Sequence, residues 1–174
     1  MLNSLLQFDA RLSLFISTLI PHNPATNLFF RFFSLQASSL PIWIVIVALL
    51  IFFEEKIDKR FIIYLLISLV VTSVIVLGLK NTIRRPRPVI TVSSLKKCDS
   101  DFSFPSGHTS IAFAVSTILA GFDKKRKWFY YIVAIFISFS RIYLQCHFVL
   151  DVLGGFLIGY LVSKLTLKLN LKLR

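Results

Sequence analysis

The sequence predicts an all-α integral-membrane helical bundle of about five to six transmembrane helices with an N-terminal interfacial helix, and three observations carry that prediction. The 174 residues are 56% hydrophobic and 14% aromatic, with a mean hydropathy of +0.77, well above an ordinary soluble domain. The apolar residues lie in long blocks rather than in the alternation of a strand or the stripe of a surface helix. Most of these blocks approach the ~20 residues that a hydrocarbon core requires. A chain of this length is expected to form one domain over residues 1–174.

The elements follow in order. Over Leu2–Ile20 the apolar positions Leu2, Leu5, Leu6, Leu12, Phe15, Ile16 and Leu19 keep helical spacing, while Gln7, Asp9 and Arg11 interrupt them. That mixture suits a helix lying in the interface better than one crossing it. Spans are expected at about Leu35–Phe53, Phe61–Leu79, Trp128–Leu144 and Phe148–Leu167, with Pro41 tolerated as a kink inside the first. A shorter fifth, about Ser106–Phe122, begins with polar residues, as if one end opened into a cavity. Counting the N-terminal stretch as a span gives six. It has no basic n-region or small-residue cleavage site, so no cleavable signal peptide is expected.

The net charge of +12 raises nucleic-acid binding, and the placement of the charges argues against it. Lys56, Lys59 and Arg60, then Lys124, Lys125, Arg126 and Lys127, then Lys164, Lys168, Lys172 and Arg174 make eleven of the twenty basic residues. The span count puts all three groups on one side, which the positive-inside rule makes cytoplasmic. They read as topology signals in contact with membrane lipids. No nucleic-acid partner and no obligatory protein partner are inferred.

The opposite face holds the connection Lys80–Pro105 and the turn Arg141–His147. Lys80, Arg84, Arg85 and Arg87 crowd the end of one span and Arg141 ends another. Ionisable groups at membrane depth are costly and usually face a polar cavity. Arg84 and Arg85 stay open between that role and snorkelling to headgroups.

Three blocks now stand out: Lys80, Arg87 and Pro88 as K-x6-R-P; Pro105, Ser106, Gly107 and His108 as P-S-G-H; and Ser140, Arg141, His147 and Asp151 as S-R-x5-H-x3-D. This pattern resembles the three-part signature of the type 2 phosphatidic acid phosphatase (PAP2) superfamily, which also includes vanadate haloperoxidases. All eleven specified positions match in order and spacing, across a core of residues 80–151. The resemblance implies a membrane lipid phosphatase that works through a phosphohistidine and uses no metal or other cofactor. It implies His147 as nucleophile, Asp151 as its orienting carboxylate, and His108 as proton donor and later activator of water.

The residue types suit that chemistry. Phosphoryl transfer is mostly positioning and charge stabilisation. Arg87 and Arg141 offer planar forks, and Lys80 a point charge. Ser106 offers a hydroxyl, Gly107 an unobstructed N–H, and a helix starting there favours an anion. His147 and Asp151, four apart, share a helix face.

Other readings fare worse. His22 reads as structural, Gly155 and Gly159 as a small-xxx-small packing pair, and Pro86, Pro88 and Pro105 as shapers of the loop and helix start. A cysteine phosphatase needs arginine six residues after its nucleophile, where Cys98 and Cys146 have Phe104 and Val152. Asp99 and Asp101 imitate a D-x-D pair without a preceding buried strand. Three dispersed histidines offer no convincing metal site. Cys98 and Cys146 can pair or remain thiols. Two rivals of other classes are an inactive membrane scaffold, which has no need of all eleven positions, and a transporter, which should show internal repeats.

The expected partner is a phosphorylated lipid substrate, met at the periplasmic side of a bacterial inner membrane. Lipid A 1-phosphate is the first choice, because the chain is compact and the loop before P-S-G-H is basic. Undecaprenyl diphosphate and phosphatidylglycerophosphate are the alternatives.

Overall fold

The computed structural model describes residues 2–35, 39–53, 58, 60–92, 98 and 100–169, and among these it is helical with no strand. The helices are α1 (Leu2–Thr18), α2 (Pro24–Phe33), α3 (Leu40–Phe53), α4 (Phe61–Ile83), α5 (Gly107–Phe122), α6 (Lys127–Tyr143) and α7 (Val149–Leu167). By length and composition α4 and α7 are long and apolar enough to cross a membrane, and α3 and α5 are shorter apolar helices. The architecture is therefore the expected helical bundle, while two clear spans do not establish a count of five or six.

α5 is the axis of the bundle. Every residue from His108 to Leu119 is buried, with α4, α6 and α7 packed around them. Small residues make this possible. A Cβ added at Gly159 would lie 2.1 Å from the Ser110 carbonyl oxygen, and one at Gly155 would lie 2.7 Å from that of Ser106. The Gly155/Gly159 pair thus lets α7 touch the backbone of α5, as a small-xxx-small stripe does. Ser163 Oγ lies 2.7 Å from Ser68 Oγ and donates to Ala114 O at 3.1 Å, which ties α7 to α4 and α5. Gly159→Ala is expected to destabilise the protein by about 1–3 kcal/mol, because helix backbone cannot yield as a side chain can. Gly78→Ala, whose added Cβ would have nothing within 4 Å, is the neutral comparison in thermal unfolding.

α1 is polar inside and apolar outside. Asp9, Ser13 and Ser17, one helical turn apart, are buried, while Leu5, Leu6, Phe8, Leu14, Phe15 and Leu19 are exposed. That inversion fits a helix whose surroundings are lipid and whose polar partners are in the protein. α2 was not anticipated from the sequence. Asn23 and Thr26 form a reciprocal capping box ahead of it, with Pro24 in its first turn. His22 is structural, as expected: its Nδ1 lies 3.3 Å from Asn27 Oδ1 and its ring 4.4 Å from that of Tyr143.

Pro41 makes no kink. α3 starts at Leu40, after Ser39 at φ 59°, so the proline falls in the first turn, where a missing N–H breaks no helical bond. α4 runs one turn further than expected and carries Lys80 in its last turn.

The Phe61 and Tyr64 rings at the start of α4 lie 6.3 and 5.4 Å from that of Phe122 at the end of α5. Tyr64 Oη also donates to Leu169 O at 2.6 Å. Arg60, Lys124–Lys127 and Lys168 therefore share one end of the bundle. Lys56, Lys59, Lys96, Lys97, Asp99, Lys172 and Arg174 lie outside the described residues.

Candidate active site

The candidate residues converge at the other end, where α4 and α6 finish and α5 and α7 begin. α4 ends in a left-handed residue, Arg84 (φ 50°), whose N–H caps Lys80 O. The chain then leaves helix, as Pro86 and Pro88 require, and carries Arg87 back across the site. Arg87 Nη1 donates to Cys146 O at 2.9 Å and lies 3.1 Å from His147 Nε2. Its Nε donates to Asp101 O at 2.9 Å, and Nη2 binds the Asp101 carboxylate. Lys80, nearly enclosed, donates to Phe102 O and lies 2.9 Å from Asp101 Oδ2. Asp101 thus sits where two cations converge. Burial would raise its carboxyl, but hydrogen bonds from Lys80 and Arg87 outweigh that and hold it below its ordinary range.

His147 is 2% exposed. Its backbone is fixed by a tight turn after α6, in which Cys146 and His147 N–H both donate to Arg141 O, at 3.0 and 3.2 Å. Gln145 supplies the left-handed residue of that turn (φ 55°). A disulfide from Cys146 to Cys98, with Cα atoms 5.5 Å apart, settles the pairing that the sequence left open and ties the turn to the connection that bears Asp101.

The ring has one defined tautomer. A guanidinium only donates, so Nε2 beside Arg87 accepts, and the proton of a neutral ring is assigned to Nδ1, 3.5 Å from Asp151 Oδ2. Burial drives the His147 pKa down to about 4; Arg141 and Arg87 add to that effect, and the contact with Asp151 opposes it. The ring is neutral near pH 7, with its lone pair turned toward the cations.

Asp151 is in the first turn of α7, where its Oδ2 accepts from the Phe148 N–H at 2.8 Å and from the Ser103 hydroxyl. Ser106 precedes α5 and its N–H donates to Asp151 O at 3.0 Å; its hydroxyl accepts from Thr109 at 3.1 Å. Gly107 is the first residue of α5, a position whose N–H has no partner within its helix. His108 Nε2 lies 2.9 Å from Leu35 O. A carbonyl only accepts, so this nitrogen carries the proton. Arg141, buried in the last turn of α6, donates through Nη1 to Ser34 Oγ.

All eight candidate residues are therefore at one end of the bundle. Ser34 and Leu35 at the end of α2, Ser103 and Asp9 were not among the sequence candidates, Asp101 was considered only in a D-x-D pair, and Arg85 was left open between this site and snorkelling. A lone carboxylate within an apolar helix was the available signal for Asp9; Ser103 and Leu35 had none. Arg84 is exposed and bonds only locally to Asn81 O at 2.9 Å among the contacts described, whereas Arg85 enters the site. Among the described residues no three His, Cys, Asp or Glu side chains cluster as a metal ion needs. The arrangement can hold a compact anion among Lys80, Arg87 and Arg141, against a neutral imidazole.

Two solved structures share this fold. LpxE of Aquifex aeolicus superposes with a TM-score of 0.73 at 29% identity, over 91% of this chain and 93% of that one. A transmembrane PAP2-type phosphatidylglycerolphosphate phosphatase of Bacillus subtilis does so at 0.71 and 28%, over 94% and 85%. Among curated proteins, phosphatidylglycerophosphatase B of Bacillus subtilis is 43% identical over 72 residues, 35% of this chain and 36% of the relative. An undecaprenyl-diphosphatase of Sulfolobus acidocaldarius is 33% identical over 122 residues, 68% of this chain and 58% of the relative. These curated matches span less than two thirds of the relatives' lengths. The PAP2 superfamily pattern itself matches residues 61–174, from the start of α4 onward and through every candidate block, and the chain belongs to that superfamily.

Proposed function

We propose that this protein is a membrane lipid phosphatase that hydrolyses the terminal phosphate of a lipid monophosphate or diphosphate through a phosphohistidine on His147. The observation that carries the reading is the placement of His147: a buried ring with Nε2 3.1 Å from Arg87 Nη1 and Nδ1 3.5 Å from Asp151 Oδ2. Lys80, Arg87 and Arg141 take the phosphoryl oxygens, with Gly107 N–H and the Ser106 hydroxyl beside them. In this state Asp101 holds Lys80 and Arg87, and substrate phosphate replaces its carboxylate.

The Nε2 lone pair forms a P–N bond while the P–O bond to the leaving group, a lipid alkoxide or a lipid phosphate, breaks. The departing oxygen takes that electron pair and a proton from the His108 imidazolium, which is left neutral. His147 keeps its Nδ1 proton and becomes cationic, beside Asp151. Water, deprotonated by His108, then attacks phosphorus, and the P–N bond returns its electrons to Nε2. Inorganic phosphate and the lipid product leave.

The site end lies opposite the basic end, so the positive-inside rule orients it toward the outer face of a bacterial inner membrane. Five spans, or six with α1, complete that topology. The relatives' names favour undecaprenyl diphosphate and phosphatidylglycerophosphate as substrates, with lipid A 1-phosphate third.

The test is phosphate release by the purified protein from these three lipids, with chelator present. Turnover of at least one, insensitive to chelator, is expected. Loss of all turnover on chelation overturns the metal-free mechanism, and inert behaviour toward every lipid phosphate overturns the function.

A further inference from the structure

Two charged residues that are not specified positions of the three sequence blocks form a cluster with Asp151. Arg85 Nη1 donates to Asp151 Oδ1 at 2.7 Å, and its Nη2 donates to Asp9 Oδ2 at 2.6 Å. Both carboxylates are buried, and the guanidinium lies 4.1 Å from the centre of the Phe148 ring. Asp9 Oδ1 accepts from the Leu150 N–H at 3.1 Å, and Ser13 Oγ accepts from the Val149 N–H at 2.9 Å. α1 therefore caps the turn of α7 that carries Asp151.

Docking of α1 alone does not account for where the charge sits. With Oδ2 of Asp151 taken by Ser103 and Phe148 N–H and facing His147, Oδ1 is the oxygen by which Arg85 prevents the carboxylate from rotating. A guanidinium bound to Asp151 alone would neutralise the charge that favours an imidazolium. Asp9 shares that guanidinium. Two carboxylates and one guanidinium leave a single negative charge, uncompensated beside a neutral His147 and compensated once the ring is phosphorylated. Such a cluster stabilises the charge that develops more than the resting state. The other charged groups facing His147 are Arg141 from α6 and Arg87 from the segment after α4, with Asp101 and Lys80 behind Arg87.

We propose that Asp9 and Arg85 are positioning residues of the catalytic centre, which fix the Asp151 carboxylate and preserve the negative charge that favours phosphohistidine formation at His147. The proposal rests on the reading of His147 as nucleophile. It makes α1, which lies outside the region matched by the family pattern, a functional part of the site.

The test uses the full chain in detergent or nanodiscs, with p-nitrophenyl phosphate, and follows the burst of nitrophenolate together with alkali-stable phosphohistidine. Asp9→Asn is expected to slow phosphorylation about 10–100-fold, by analogy with the cost of losing a residue that orients a metal-bound histidine, with KM within about threefold. Arg85→Lys should recover at least about tenfold over Arg85→Gln. Ser13→Ala, which loosens the same helix contact without removing charge, should lower Tm while phosphorylation stays within about twofold. Asp9→Asn phosphorylating at the wild-type rate overturns the proposal alone, as does Ser13→Ala slowing the step as much as Asp9→Asn. If Asp9→Asn does not fold, equal rates for Arg85→Lys and Arg85→Gln overturn it. A wild-type protein that turns over without phosphorylating His147 overturns the parent reading, and the proposal with it.

Discussion

His147→Ala is expected to abolish hydrolysis of every phosphorylated substrate, whatever its leaving group, with a loss on the order of 10⁴–10⁶-fold. The nucleophile forms the bond to phosphorus, so no property of the leaving oxygen can substitute for it. The surrounding cage should survive the change. The backbone of residue 147 is fixed by Arg141 O, and Arg87 retains Cys146 O and Asp101 as partners. Vanadate, which adopts the five-coordinate geometry of phosphoryl transfer, should therefore still bind the variant, though less tightly than the wild type. Removing the ring also enlarges a cavity of about 280 Å³ that Arg87, Ile142, His147 and Phe148 help to line. Added imidazole is expected to enter it and restore a small fraction of turnover on p-nitrophenyl phosphate. Steady-state kinetics with and without imidazole, beside a thermal melt matching the wild type, check both points. Turnover of folded His147→Ala within about tenfold of wild type would remove this residue from the chemistry.

The parts legible in the sequence are those whose signal is local. α4 and α7 were readable as long apolar blocks, and Lys80, Arg87, His108, Arg141, His147 and Asp151 as fixed spacings. The helix at Ser106–Phe122 was legible through its polar start, which proved to be its N-terminus against α7. What escaped depends on contacts between distant segments. Arg85 lies 76 residues from Asp9 and 66 from Asp151, and no spacing rule joins such positions. In α1, Asp9 looked, with Gln7 and Arg11, like an interruption of an apolar face, whereas together with Ser13 and Ser17 it forms the buried face that docks. α2 is ten residues long, too short to register as a span, although Asn23, Pro24 and Thr26 spell out a helix start. Asp101 was weighed only as half of a D-x-D pair, because its role depends on Lys80 and Arg87 arriving from another element.

His108→Ala is expected to separate substrates by their leaving groups, which no structural defect would do. In the structure His108 Nε2 donates to Leu35 O at 2.9 Å, which orients the ring, and as an imidazolium it carries a second proton to give. A lipid alkoxide is a poor leaving group and needs that proton badly; the loss on such substrates should reach about 10²–10⁴-fold, the usual range for a general acid. A nitrophenolate, or a lipid phosphate leaving from a diphosphate, departs without it. On those substrates the first P–O cleavage should remain fast. The second step then fails, because the same residue activates water, and phosphohistidine accumulates on His147. Rapid-quench kinetics with p-nitrophenyl phosphate should show a burst near one nitrophenolate per enzyme followed by a slow phase, and the trapped phosphoenzyme should match the burst in amount. His147→Ala should show neither. The opposite result, a folded His108→Ala equally inactive on lipid monophosphates and on activated aryl phosphates, would mean that this histidine acts before cleavage through positioning of the phosphate. The proton would then have to reach the lipid oxygen from another group.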